Sequence, residues 1–322
     1  MPVSDWRPVA GVERMRLRAE VLQQLRDFMQ QRSVLEVDTP TLSVAGVTDP
    51  CIESMILNSQ GNKETPRFLH TSPEYPMKRL LAAGSGSIYQ VCKVFRAGEQ
   101  GRLHNPEFTL LEWYRVGYDH LRLMDEVAEL VRLLFADIRV LPSFERMTYQ
   151  DLFLKYAAVD GMQASVDELR ACAQSHQISI PVSMGDDWDE WRDLILTQLI
   201  EPQLHERAIF VYHYPASQAS LARLHEEGYA ERFELYLYGV ELANGFHELS
   251  NADEQRRRFV MEQQQRIANG LPERPMDERL LAAIAEGLPD CAGVALGIDR
   301  LLMLLAGAEC LDDVLCFPFG RA

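Results

Sequence analysis

The chain has 322 residues, 47% of them hydrophobic, and a formal net charge of -16. That is enough for one large domain or two small ones around a sizeable core, and the acidic balance disfavours a broad nucleic-acid footprint, which needs a cationic face. There is no run of about 18 apolar residues, no apolar leader core in MPVSDWRPVAGVERMRLRAE, and no C-x-x-C pair among the six cysteines, so a protein without membrane span or secretory signal, its thiols free in a reducing cytoplasm, is expected.

Val12–Arg32 carries Val21, Leu22, Leu25, Phe28 and Met29 at helical spacing, which predicts an amphipathic helix. VLEVDTPTL then alternates like a strand as far as Pro40, a residue suited to a strand end because it cannot donate to a ladder. Phe68–Leu69 reads as a short strand into TSPEY, and Met77–Ala83 as a helix. Ile88–Arg96 and Phe108–Tyr118 read as strands, and Leu121–Phe135 as a helix. Residues from about 140 to 207 read as mainly polar helices, such as SVDELRACAQSH and DEWRDLILTQLIEPQLHE, inserted and packed on the core. Strands return at Ile209–His213, Arg232–Tyr238 and Val240–Ala243. DEQRRRFVMEQQQRIAN is a charged helix whose arginine run reads as a solvated face, and GVALGIDRLLMLLAG is a Gly-rich strand end entering an apolar helix. Strands that adjoin as hairpins, with helices segregated from them, predict an α+β fold with an antiparallel sheet rather than βαβ units.

Three stretches carry chemistry. In FRAGEQGRLHNPEFTLLEWY, Arg96 ends a strand, Gly98 and Gly101 make a flexible connection, and Phe108 begins the return. An arginine fork can hold phosphate oxygens and an aromatic can stack under a purine; a surface ion pair and a core Phe would look the same. In RFELYLYGVELANGFHEL, Glu234 and Glu241 fall on adjacent strands if Tyr238-Gly239 is the turn. Two carboxylates on one groove suit a hard cation such as Mg²⁺, and Asn244 and Glu248 can receive an ammonium group; exposed hairpin acids are the plain alternative. In GVALGIDRL, Gly293 and Gly297 allow a close backbone approach, and Arg300 sits in the first turn of the next helix. This stretch lacks the GxxxxGK[ST] of a P-loop.

Taken together and in this order, the stretches resemble the catalytic domain of a class II aminoacyl-tRNA synthetase of the lysyl type, over roughly residues 12–320. The helix ending at VLEVDTP resembles motif 1, the dimer-interface element. FRAGEQGRLHNPEFTLLEWY resembles motif 2 and GVALGIDRL motif 3, while HNPEFT and ELANGFHEL mark the lysine branch. The resemblance implies one catalytic domain over 1–322 with ATP and Mg²⁺ as cofactors. It implies Arg96 on the α-phosphate, Arg300 on the γ-phosphate and Phe108 under adenine. Ala97, Gly98, Glu99, His104, Asn105, Leu242 and Gly297 would contribute to the nucleotide site, and Glu234 and Glu241 would bind the metal. Ser72, Pro73 and Glu74 would meet the substrate amine, and Glu112, Tyr114, Asn244, Glu248 and Ala295 would line the lysine pocket, with Glu248 taking the far ammonium.

Only about ten residues precede the first helix, where a lysyl-tRNA synthetase carries an anticodon-binding module. The resemblance is therefore to the stand-alone ligases of this class that act on elongation factor P, and FVYHYPASQASLAR and GVALG fit that branch. Lysyl-tRNA synthetases typically have glycine where this chain has Ala295. The implied substrate is (R)-β-lysine and the implied partner elongation factor P, with a homodimer, a cytoplasmic location and neither tRNA nor membrane. A lysine-activating enzyme with a tRNA or small-molecule acceptor is the alternative. One departure stands out. Motif 2 usually reads Phe-Arg-Asn-Glu, but here the two positions after Arg96 are Ala97 and Gly98, and the acid follows at Glu99.

Overall fold

The computed structural model describes residues 6–57 and 66–322, so the first five residues of the N-terminal stretch read above lie outside it. The chain divides into two compact units, Met1–Gly117 with Leu133–Ile138 and Ser250–Ala322, and Tyr118–Arg132 with Arg139–Leu249. The expected insertion at about 140–207 lies inside the second unit, which also takes the strands that follow it.

In the first unit, helix α1 (Val12–Gln31) buries Val21, Leu25, Phe28 and Met29, the predicted stripe. The predicted strand VLEVDTPTL is instead two fragments, β1 (Leu35–Glu36) and β2 (Leu42–Ser43). Pro40 between them has no N–H to continue a ladder. β3 (Ile56–Leu57) and β4 (Arg67–Leu69) complete a small sheet of order β2-β4-β3. Helix α2 (Glu74–Ala82) begins three residues before its predicted start, because Ser72 accepts a hydrogen bond from the Glu74 N–H at 3.0 Å and so ends the preceding loop. β5 (Ile88–Phe95) and β6 (Glu107–Val116) pair antiparallel, as predicted. β1 pairs with β5 in parallel, so the sheet is mixed at this edge rather than purely antiparallel.

Helix α3 (His120–Phe135) opens the second unit. There the sequence missed β7 (Phe144–Thr148), which pairs in parallel with β8 (Ala208–Pro215). Its FERMT has no clean apolar alternation for a period-2 reading to catch. Helices α4 (Tyr149–Ala157), α5 (Val166–Ser175) and α6 (Trp188–Ile195) follow. Each has a side-chain cap, from Thr148, Ser165 and Asp187 respectively. Their apolar faces are less polar than the sequence suggested: Leu152, Phe153, Leu169, Trp191 and Ile195 pack with Ile209, Val211, Tyr214 and Tyr236 in one core. β9 (Tyr229–Leu237) and β10 (Val240–His247) form the expected hairpin. Tyr238 and Gly239 at its tip have φ of 54° and 75°, the positive pair that matches the twist of a two-residue hairpin. The strand order in this unit is β10-β9-β8-β7.

The chain returns to the first unit with α7 (Ala252–Ala268), α8 (Glu278–Gly287), β11 (Cys291–Gly297) and α9 (Ile298–Leu305). β11 pairs antiparallel with β6, which gives the order β1-β5-β6-β11 here. The α+β class stands, with mixed rather than wholly antiparallel pairing. Among the described residues no helix is long and apolar enough to cross a membrane.

Candidate active site

In the first unit, β5, β6 and β11 set up one chemical face. Gln90, Glu112 and Ala295 lie directly opposite one another across the three strands, as do Val94 and Phe108 across β5 and β6. Directly opposed residues share a face, and so do residues two apart. Phe108, Glu112, Tyr114, Ala295, Gly293 and Gly297 therefore all look the same way. The two glycines leave the Ala295 methyl as the β11 side chain on this face beside Glu112. Gly297 is not required by steric crowding, since an added Cβ would meet only the Arg300 chain at 3.7 Å, an ordinary contact.

Glu112 is the electrostatic centre of this face. It is buried, and accepts hydrogen bonds from Ser72 Oγ and from the Tyr114 hydroxyl, each at 2.7 Å. Burial, and then the negative charge of Glu74, push its carboxyl up to about 7, against the stabilising Ser72, Tyr114 and Lys78. The neighbouring acid, Glu74, already holds an ammonium: Lys78, fully buried one helical turn on, donates to it at 2.6 Å. Pro73 is buried at the start of α2. Two carboxylates and one lysine leave this pocket short of positive charge, which is the condition for receiving a cationic ligand.

At the other end of the face, Arg96 follows β5. Its Nε donates to the Thr71 carbonyl at 3.4 Å, and its guanidinium lies 5.1 Å from the centroid of Phe108. The loop is fixed from outside, since the Ala97 N–H donates to the Glu53 carbonyl at 2.8 Å. Gly98 has φ 81°, a conformation that L side chains rarely adopt. The next residue, Glu99, lies 3.7 Å from Arg96. Arg300, in the first turn of α9, approaches His104 Nε2 at 2.9 Å and donates from Nε to the Leu103 carbonyl at 3.2 Å. His104 therefore sits where both arginines converge. Partial burial, then the charges of Arg300 and Arg96, outweigh Glu99 and hold its imidazole below its usual range. Asn105 is buried and acts as a brace: its amide donates to the Glu107 carbonyl at 2.6 Å and accepts from the Phe319 N–H at 3.0 Å.

The second unit carries the hairpin acids. Glu234 is buried and accepts from Tyr214 and Tyr236 hydroxyls, each at 2.7 Å, from Asn244 Nδ2 at 3.1 Å, and from Arg232. Asn244 is the cross-strand partner of Glu234, and Glu241 that of Tyr236, so both glutamates are on one face of the hairpin. Leu242 falls at a register shift between Glu241 and Ala243, the extra residue of a bulge. Glu248, just beyond β10, is 1% exposed. The two glutamates are oxygen ligands of the kind a hard divalent cation takes, and without one Glu234 is paired with Arg232.

Some residues that organise the site were missed in the sequence. Arg232 and Tyr236 alternate at period 2 with the predicted Glu234 on one face, and Lys78 is four residues from Glu74 on a helix. Both were readable as patterns. Asp299 was not. It is buried at the start of α9, where it accepts from the Thr109 N–H of β6 at 2.7 Å and pairs with Arg18 of α1, so it anchors the turn that carries Arg300.

The model for tRNA synthetases class II (D, K and N) matches residues 3–321. A relative from Yersinia enterocolitica, named elongation factor P--(R)-beta-lysine ligase, is 47% identical over 325 residues, 99% of each chain. Relatives of the same name from Proteus mirabilis, 45% identical, and Edwardsiella ictaluri, 47% identical, also match over 99% of both chains.

Proposed function

The chain belongs to the class II tRNA synthetases (D, K and N) and, within them, to the elongation factor P--(R)-beta-lysine ligases, and on that premise we propose that it activates (R)-β-lysine with ATP and passes the β-lysyl group to a lysine side chain of elongation factor P. The observation that carries this reading is the buried Glu112, held by Ser72 and Tyr114 and faced across β6 and β11 by Ala295. A desolvated carboxylate beside a methyl-narrowed floor suits an ammonium-bearing chain of defined shape.

The substrate carboxylate is ionised near pH 7, so one of its oxygens attacks the α-phosphorus without a general base, and pyrophosphate leaves with the electron pair of the broken P–O bond. Arg96 neutralises charge at the α-phosphate, Phe108 stacks on adenine, and Arg300 with His104 draws the γ-phosphate back, so alignment and charge neutralisation do the work. Glu234 and Glu241 are the residues to hold Mg²⁺, which when bound lends positive charge to the pyrophosphate oxygens. In the second step a neutral lysine amine of elongation factor P attacks the acyl carbon, AMP departs, and the amine's proton passes to the departing phosphate or to water.

A protein acceptor is favoured over tRNA because the net charge of -16 opposes phosphate-backbone binding. A cytoplasmic homodimer not bound to membranes accords with the same reading. To test it, enzyme, ATP and radiolabelled (R)-β-lysine are incubated with purified elongation factor P or with tRNA. Label is expected on the factor, stable to mild alkali as an amide is, and lost when the factor's acceptor lysine becomes alanine. Alkali-labile label on tRNA, with none on the factor, overturns the proposal.

A further inference from the structure

Outside these residues, the second unit holds a group of side chains that catalysis does not use. His120 is the first residue of α3, Glu231 lies in β9, and His247 ends β10. One ligand atom from each lies within 4.8 Å of the other two. His120 and His247 are buried, at 4% and 8% exposure, and Glu231 is half-buried. His247 Nδ1 already contacts a Glu231 carboxylate oxygen. Among the described residues neither ring nitrogen of His120 has a hydrogen-bond partner, although a neutral imidazole has one donor and one acceptor to satisfy.

A buried core histidine normally settles at least one ring nitrogen on a backbone or side-chain group. His120 does not, and it lies among other imidazoles. Its ring centroid is 5.5 Å from that of His213 and 6.4 Å from that of His247. His213 is brought there by a bulge in β8, where its own φ is 59°, a conformation unusual for a non-glycine residue.

We propose that His120, His247 and Glu231 form a binding site for one divalent transition-metal ion of the zinc class, with water in the fourth position. Two imidazole nitrogens and one carboxylate oxygen are a donor set that favours such an ion over Mg²⁺ or Ca²⁺, which prefer all-oxygen ligands. Bonds of about 2.0–2.2 Å from one ion to three ligands require His247 and Glu231, now in direct contact, to part slightly and His120 to turn toward them, which small side-chain rotations supply. The ion takes the place of the direct contact between His247 and Glu231. Its role is to tie the start of α3 to the ends of β9 and β10, one residue before Glu248.

The full-length protein, stripped with a chelator and desalted into metal-free buffer, is titrated with Zn²⁺ alone against a chromophoric competitor, and separately with Co²⁺ followed by visible absorption. One equivalent per chain is expected. Zn²⁺ should raise the melting temperature, Co²⁺ should give the absorption bands of a low-coordinate N/O site, and excess Mg²⁺ should displace neither ion. H120N and E231Q should each weaken Zn²⁺ binding at least tenfold, with circular dichroism confirming the fold. If H120N does not fold, the isosteric E231Q and the wild-type Co²⁺ spectrum still decide. The absence of stoichiometric Zn²⁺ binding, or binding unchanged in the folded variants, overturns the site and assigns any zinc to surface groups.

Discussion

At the scale of single residues, Glu112 and Ala295 decide what this face accepts. Below about pH 7 the Glu112 carboxyl is protonated and cannot pair with an ammonium; above it, the anion is ready. kcat/KM for β-lysine in pyrophosphate exchange should therefore fall about tenfold per pH unit as pH drops below that range. E112Q should be slow and lack this acidic limb, and an unchanged limb would assign the titration to another group. The stability sign is the reverse. Because the folded pKa is raised from 4.5 to about 7, the native state binds more protons than the unfolded one in that window, and the substrate-free protein loses stability as pH rises through it. E112Q should lose this dependence, which thermal melts at about pH 5 and about pH 8 can read. Ala295 acts by shape. A methyl in a close-packed site penalises a misfitting ligand by about 1–3 kcal/mol, so A295G should improve use of α-lysine relative to β-lysine by about tenfold or more. An unchanged ratio in competition assays would remove Ala295 from selectivity.

At the scale of elements, the β9–β10 hairpin sets the acids that the Mg²⁺ proposal needs. Its tip has little tolerance: Gly239 has φ 75°, and an added Cβ would lie 3.2 Å from the Glu201 carbonyl oxygen. G239A should cost about 1–2 kcal/mol from the left-handed backbone alone, and more if the Glu201 segment cannot yield. The loss should appear as a lower urea midpoint at unchanged m. By contrast G98A, also at positive φ but with nothing within 4 Å, should carry the backbone cost alone. Equal stability of the two variants would show that the Glu201 contact adds nothing.

At the scale of the molecule, the apolar face of α1 packs inward within the chain. Val21, Leu25 and Phe28 are buried in the chain's own core, the plainer of the two readings of that helix. From β1 to β3 the chain exposes Leu35, Leu42, Val44, Ile56 and Leu57, with Leu35 at 57%. Exposed apolar residues gathered in one segment mark an interface more often than a solvated surface, and a C₂ dimer through this segment is the expected assembly. Sedimentation at micromolar concentration should give about twice 36.7 kDa, and L35E with L42E should shift it toward monomer. A wild-type monomer at that concentration would end the dimer proposal.

The sequence by itself determined the long elements and the motif residues. Helix α1, strands β5 and β6 and the Tyr238-Gly239 turn follow from local periodicity and turn chemistry, which depend on neighbours a few residues away. It also determined which residues face together within a strand pair, because the side-chain period of two is fixed. Tertiary structure decided the rest. It split VLEVDTPTL into two fragments, made β7 a strand by pairing it with β8, and buried Glu112 deeply enough to move its proton to about 7. It gave Asp299 to Thr109, and it gathered His120, Glu231 and His247 from across the chain. Each of these depends on desolvation or on a partner distant along the chain, and neither is written in the local pattern of residues.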